Sequence, residues 1–136
     1  MTNDITVVDP CLVAAELERN HAFWVGELSG TFFNEKGANS LFDRSGVRCP
    51  GSKDLIFGKR QSHASGYCII MGEGSAPDQA FLKWSCDGDT VDCSGTFEYT
   101  CGTGKYQSAS GSNTFKARTT GNRNDGNVSD FATWNR

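Results

Sequence analysis

The sequence predicts an all-β chain: one antiparallel barrel of about eight strands behind a short N-terminal helix or arm. Three observations point there. First, sixteen Gly punctuate short runs of aromatic and β-branched residues, and Pro occurs only three times. That is the texture of strands joined by tight turns. Second, 136 residues suit one domain. The chain is polar, with 37% hydrophobic and 21% charged residues and a mean hydropathy of -0.46, but nine Phe, three Trp and three Tyr supply core material. Disorder is therefore not expected over most of its length. Third, no linker or repeat divides the chain. A closed barrel removes the sheet edges that such strands would otherwise expose. A sandwich of the same strands fits the pattern nearly as well.

Residues 1–20 read as the arm. Asp9-Pro10 suits a helix start, and residues 11–19, with Leu12, Val13 and Leu17, are expected to form one short helix. Residues 21–136 form the barrel domain. Its strands are expected at 21–34, 40–43, 54–57, 61–72, 79–86, 94–100, 111–119 and 131–135. Turns fall at 37–39, 48–52 and 72–78, and the Gly/Asn/Asp-rich stretch 120–129 reads as a mobile loop. In the first strand one face carries Trp24, Gly26, Leu28, Gly30 and Phe32. The other carries Phe23, Val25, Glu27, Ser29, Thr31 and Phe33. Both faces hold aromatics, which fits a wall with an apolar lumen inside and another layer, such as a partner subunit, outside.

Composition removes several function classes. A net charge of -3 and a pI near 5.3 leave no electrostatic footprint for nucleic acid. The longest strongly apolar run, Tyr67-Cys68-Ile69-Ile70-Met71, is strand-sized, so no membrane span is expected. Met1-Thr2-Asn3-Asp4 has no leader character, which predicts a cytoplasmic protein, or a secreted one if a leader is cleaved ahead of it. The six Cys pull towards an oxidising compartment. Cys86 and Cys93 bracket a hairpin turn and are positioned to bridge; buried free thiols are the other reading. No Cys/His spacing suits zinc, and no metal or organic cofactor is implied.

Gly102-Thr103-Gly104-Lys105-Tyr106-Gln107-Ser108-Ala109-Ser110-Gly111 resembles the G-T-G-[KR]-[FY]-x-x-[AI]-x-G segment of dirigent proteins and allene oxide cyclases. Other pieces fall in matching order. Gly26-Glu27-Leu28-Ser29-Gly30-Thr31-Phe32-Phe33-Asn34-Glu35 is similar to the family's early strand and acidic turn. Ser62-His63-Ala64-Ser65-Gly66-Tyr67 is similar to its R-A-Q-G-x-Y strand. Ser94-Gly95-Thr96-Phe97-Glu98-Tyr99 is similar to the strand before the glycine motif. Gly102 and Gly104 suit positive φ at a tight turn, and Gly111 suits close approach at a barrel corner. The resemblance spans roughly residues 22–118. It implies an eight-stranded barrel, often a dimer or trimer, whose apolar pocket orients or folds a hydrophobic small molecule for coupling or ring closure in natural-product biosynthesis. Bacterial spirotetronate cyclases share that logic. His63 stands near the family's Arg, so no catalytic residue transfers directly.

The residues offer few reactive groups. There is no nucleophile elbow and no phosphate-binding loop, and the only His are His21 and His63. The catalytic candidates are His63, Tyr67, Glu27 and Glu98. By alternation His63, Ser65 and Tyr67 share a face. A luminal His63 would transfer protons near neutral pH, and Tyr67 would donate to a substrate oxygen. A surface His beside a packed Tyr is the commoner arrangement. Glu27 and Glu98 are mid-strand: inward, burial would raise their pKa and suit them to acid–base work; outward, they merely solvate the wall. Lys83 and Arg118 share that ambiguity for a substrate carboxylate.

Trp24, Trp84, Tyr99, Phe115 and Phe97, with Trp134, are the substrate-binding candidates. They would line an apolar pocket, or simply fill a core. Asp87, Asp89 and Asp92 do not match a calcium loop and read as a turn. Asn127-Val128-Ser129 is a glycosylation sequon that matters only outside the cell. The leading expectation is a cofactor-independent cyclase or isomerase that templates ring closure of a hydrophobic substrate. A lipocalin-like carrier and a disulfide-stapled extracellular β protein are the alternatives.

Overall fold

Alternation along the chain becomes alternation of burial. The computed structural model describes residues 2–6, 14–18, 20–33, 42–72, 78–122 and 128–134. In the strand Gln61–Met71, Ser62, Ala64, Cys68 and Ile70 are buried, while His63 and Tyr67 are exposed. Period two is the signature of a sheet with one packed face.

Nine strands occur among the described residues: β1 (Thr2–Thr6), β2 (Ala14–Glu18), β3 (His21–Thr31), β4 (Gly46–Ile56), β5 (Gln61–Met71), β6 (Gln79–Gly88), β7 (Asp92–Gly102), β8 (Ser112–Asn122) and β9 (Val128–Trp134). Two single 3-10 turns, Phe57–Lys59 and Gly104–Tyr106, are the only helical pieces among them. Strands β3 to β9 pair antiparallel in sequence order, giving a curled seven-stranded sheet, a half-barrel. β2 pairs with the start of β3, Ala14 opposite Trp24. β1 pairs with the end of β3, Thr2 opposite Thr31, and also with β9, Thr2 opposite Phe131.

The packed face closes on Phe42, Val47, Cys49, Cys68, Ile70, Ala80, Leu82 and Tyr106. Phe42 is central, 4.9 Å from the Tyr106 ring and 5.9 Å from Tyr99. Two disulfides staple the sheet. Cys49–Cys68 joins opposed residues of β4 and β5, and Cys86–Cys93 closes the β6–β7 hairpin. Cys101 is an exposed thiol, and Cys11 lies outside the described residues.

Several expectations need correction. Of the helix expected at 11–19, Ala14–Glu18 is a strand laid on β3. Short helices are marginal alone, and an available ladder wins. The strand expected at 40–43 meets a turn at 42–44, where Phe42 and Arg44 take positive φ; residues 40 and 41 lie outside the described part. That turn delivers the Phe42 ring to the core. The turn expected at 48–52 is instead the middle of β4. Pro50 has no N–H to donate, and the β4–β5 ladder passes from Arg48 opposite Ile69 directly to Gly51 opposite Gly66. The Cys49–Cys68 disulfide crosses that interruption. Of the loop expected at 120–129, residues 120–122 and 128–129 are strand, and 123–127 lie outside the described residues, as does Asn127 of the sequon.

The glycine motif also divides its roles differently. Gly104 and Gly111 have positive φ, of 57° and 102°. Gly102 does not; a Cβ there would collide with the Tyr106 carbonyl, whereas a Cβ at Gly111 meets nothing within 4 Å. Close approach belongs to Gly102 and backbone conformation to Gly111.

Candidate functional site

The curled wall separates the candidate residues into two sets. Trp24, Trp84, Phe97, Tyr99 and Phe115 occupy inward positions; His63, Tyr67, Glu27 and Glu98 occupy outward ones. The parity of each strand decides this. Leu28 and Phe32 pack on the core, so even positions of β3 face inward, and Glu27 faces out. In β7, Phe97 and Tyr99 are half-buried against the core and Glu98 is exposed.

The inner set forms around a row of glycines. Gly26, Gly51 and Gly66 lie opposite one another on β3, β4 and β5, and the row continues through Trp84 and Phe97. Indoles cover the missing side chains. A Cβ at Gly26 would fall on the Trp24 ring. Those at Gly51 and Gly66 would lie 2.8 and 3.0 Å from Cζ2 of Trp84. Phe115 meets Trp84 edge-on at 6.4 Å and also faces Phe97 at 6.4 Å. Phe97 meets Tyr99 edge-on at 5.8 Å, and Trp134 packs on Phe32. Packing is uneven along this face. Ile70 and Ala80 are 0% exposed, whereas Trp24, Trp84, Phe97 and Phe115 keep accessible surface. The indole N–H groups of Trp24 and Trp84 are nonetheless buried without a hydrogen-bond partner among the described residues. Buried indoles ordinarily find an acceptor.

Every outer candidate except Tyr67 is held by a charged neighbour. Arg48 donates to both carboxylate oxygens of Glu27, at 2.7 and 2.9 Å, and that hydrogen bonding raises the guanidinium pKa. His63 Nδ1 lies 2.7 Å from Asp87 Oδ1. Glu98 lies 3.4 Å from Lys83 Nζ. Arg118 grips Asp92 with two bonds, of 2.7 and 2.9 Å. His21 and Asp54 make a further pair at 2.6 Å. Tyr67 stands 62% exposed. The four catalytic candidates therefore sit on the outer face, with Glu27 half-buried and the other three exposed.

The sequence reading missed a second feature of the outer face, a groove of about 920 Å3. Its floor is Ser52, Ser65, Ser85 and Thr96, and Tyr67, Lys83 and Glu98 line it. Gly51, Gly66, Trp84 and Phe97 of the inner row also line it. Its signal is one Ser or Thr on each of four strands, which lines up only once the strand register is known, and Ser52 falls in residues 48–52, which read as a turn.

The acidic turn makes its own internal bonds. Asp89 Oδ1 accepts from the Val91 and Asp92 N–H groups, both at 2.7 Å. Those bonds hold the Asp89 carboxyl below the ordinary aspartate range; Arg118 does the same for Asp92. Among the described residues, no group of three or more His, Cys, Asp or Glu is placed to hold a metal ion. No family model matches the chain, and no curated protein or solved structure matches it either.

Proposed function

We propose that this protein holds an apolar small molecule carrying an oxygen acceptor against the inward aromatic row, and that its action on that molecule is steric. One observation carries the reading: inward-facing aromatics keep accessible surface beside two indole N–H groups that lack an acceptor among the described residues. An unsatisfied buried donor costs about 1–3 kcal/mol, which a carbonyl or ether oxygen on a ligand would recover. Aromatic faces would supply stacking and area for the carbon skeleton.

Ring closure or isomerisation by this route needs no acid or base from the wall. A flexible skeleton folded into a near-attack shape gains its rate from lost freedom alone. Carriage without conversion is the same binding without that fold. The order of the glycine motifs supports kinship with the dirigent and allene oxide cyclase barrels. The pairing of β1 with both β3 and β9 supports closure of the sheet into an eight-stranded barrel. The two disulfides support an oxidising compartment.

The test is a tryptophan-fluorescence titration with cis-parinaric acid, a polyene with a terminal carboxyl. Saturable quenching is expected, weakened in Trp24→Phe and Trp84→Phe, which keep a ring and remove the N–H. Absence of saturation, or equal affinity in both variants, refutes the reading. Chromatography of a recovered flexible epoxy-polyene then separates conversion from carriage.

A further inference from the structure

The outer groove is a built feature of the sheet, and Trp84 and Phe97 of the inner row belong to its lining. Gly51 and Gly66 remove the inner side chains at one level of β4 and β5, and the Trp84 indole lies against that gap. The same two glycines line the groove from below. The concavity therefore lies on the reverse of the glycine row, where the wall is thinnest.

Its floor is regular. Ser52 is opposite Ser65, Ser65 opposite Ser85, and Ser85 opposite Thr96, on four consecutive strands. Neighbouring strands lie ~4.8 Å apart, so hydroxyls recur at that step along a line across the sheet. Each hydroxyl is both donor and acceptor. One wall carries the exposed Tyr67 ring and the Lys83–Glu98 pair. The row on the other side carries the His63–Asp87 pair.

From this we infer that the groove binds a neutral polysaccharide chain running across the strands. A hydroxyl floor with a fixed step matches a ligand that presents donors and acceptors at every residue. The Tyr67 ring offers a face for the C–H surface of a pyranose. Paired charges, rather than single ones, supply strong hydrogen bonds to sugar hydroxyls without selecting a charged ligand. Competing ligands fit less well. Lys83 is matched by Glu98, so an anionic polymer finds no net positive charge. The floor strands are paired on both sides, so an extended peptide finds no free edge to add to. An apolar ligand finds Val25, Pro50 and the Tyr67 ring, but would have to cover the hydroxyl floor and the Lys83–Glu98 pair between them.

The experiment is native affinity electrophoresis of the full chain in gels containing hydroxyethylcellulose, xylan or galactomannan. At least one polymer is expected to retard the protein. Tyr67→Ala is expected to weaken that retention about tenfold. The double variant Ser65→Val, Ser85→Val is expected to weaken it while keeping a strand-compatible shape. Circular dichroism and sedimentation of each variant accompany the gels. If Tyr67→Ala unfolds, the serine variant alone decides. Mobility unaffected by all three polymers overturns the inference. So does retention insensitive to the variants, or loss of retention accompanied by a change of oligomeric state, which marks the groove as a contact between copies. Trp24→Phe reports separately on the interior, because Trp24 does not line the groove and failure there leaves gel retention intact.

Discussion

Gly51 and Gly66 face each other across β4 and β5, and the Trp84 indole takes the space both lack, 2.8 and 3.0 Å from where their Cβ atoms would stand. One glycine pair thus shapes both faces of the wall. Inside it seats the indole. Outside it lies beneath the groove.

Gly66→Ala should therefore destabilise the fold. A Cβ there also collides with the Pro50 carbonyl, which is backbone and cannot swing away. Overpacking of this kind costs about 1–3 kcal/mol. Gly46→Ala, in the same sheet, meets only Met71 Cε at 3.5 Å and should be near neutral. Urea unfolding of the two variants checks the contrast. Equal midpoints would mean that the indole seat is not rigid.

The separation of the two candidate sets gives a second expectation. His63→Gln and Glu98→Gln remove an exposed hydrogen bond to Asp87 and an exposed ion pair with Lys83 on the outer face. Neither should change cis-parinaric acid quenching, whereas Trp84→Phe should weaken it about three- to tenfold, the loss of one hydrogen bond. A large effect of His63→Gln on quenching would place the ligand on the outside and remove the interior reading.

These placements show what alternation can and cannot convey. The shared face of His63, Ser65 and Tyr67 was legible, because period two needs only the strand. Which face was inner was not, since β3 carries aromatics on both sides. The Cys86–Cys93 bridge was open as one of two readings, because its hairpin turn was visible. Cys49–Cys68 was invisible for a specific reason: Pro50-Gly51 reads as a turn, and only a ladder already interrupted at that level accommodates a proline in mid-sheet. Phe42 was assigned to a strand by its aromatic side chain, yet its positive φ comes from the turn that buries it. Ala14–Glu18 became a strand through its partner in β3, a long-range fact that local propensity does not contain.

Acid should open the β6–β7 turn selectively. The Asp89 carboxyl is held below its ordinary range first by the Asp92 N–H and then by the Val91 N–H. Asp92 is held down by its bonds to Arg118. For a depressed carboxyl, the stabilisation is fully present above the unfolded pKa, near 4, and disappears as pH falls through the lower folded value. Amide exchange at Val91 and Asp92 should be flat from pH 7 to 5, once corrected for intrinsic rates, and lose protection below about pH 4. Asp89→Ala should lose that protection at every pH. Retained protection at pH 2 in the parent chain would show that the turn does not depend on the carboxylate.

The two disulfides should differ in weight. Cys49 and Cys68 are 19 residues apart, and Cys86 and Cys93 are 7 apart. In the chain-entropy account the longer closure contributes about 3 kcal/mol and the shorter about 1 kcal/mol less. Context widens the gap. Cys86–Cys93 reinforces a hairpin already closed by the Asp89 turn, whereas Cys49–Cys68 crosses a level where the β4–β5 ladder is interrupted. Replacing Cys49 and Cys68 together by Ala should lower stability more than replacing Cys86 and Cys93, measured by urea unfolding. Alkylation of unreduced protein supplies the control: Cys101 reacts, and the four bridged cysteines react only after reduction. Reaction of all four without reductant would remove both bridges, and with them the case for an oxidising compartment.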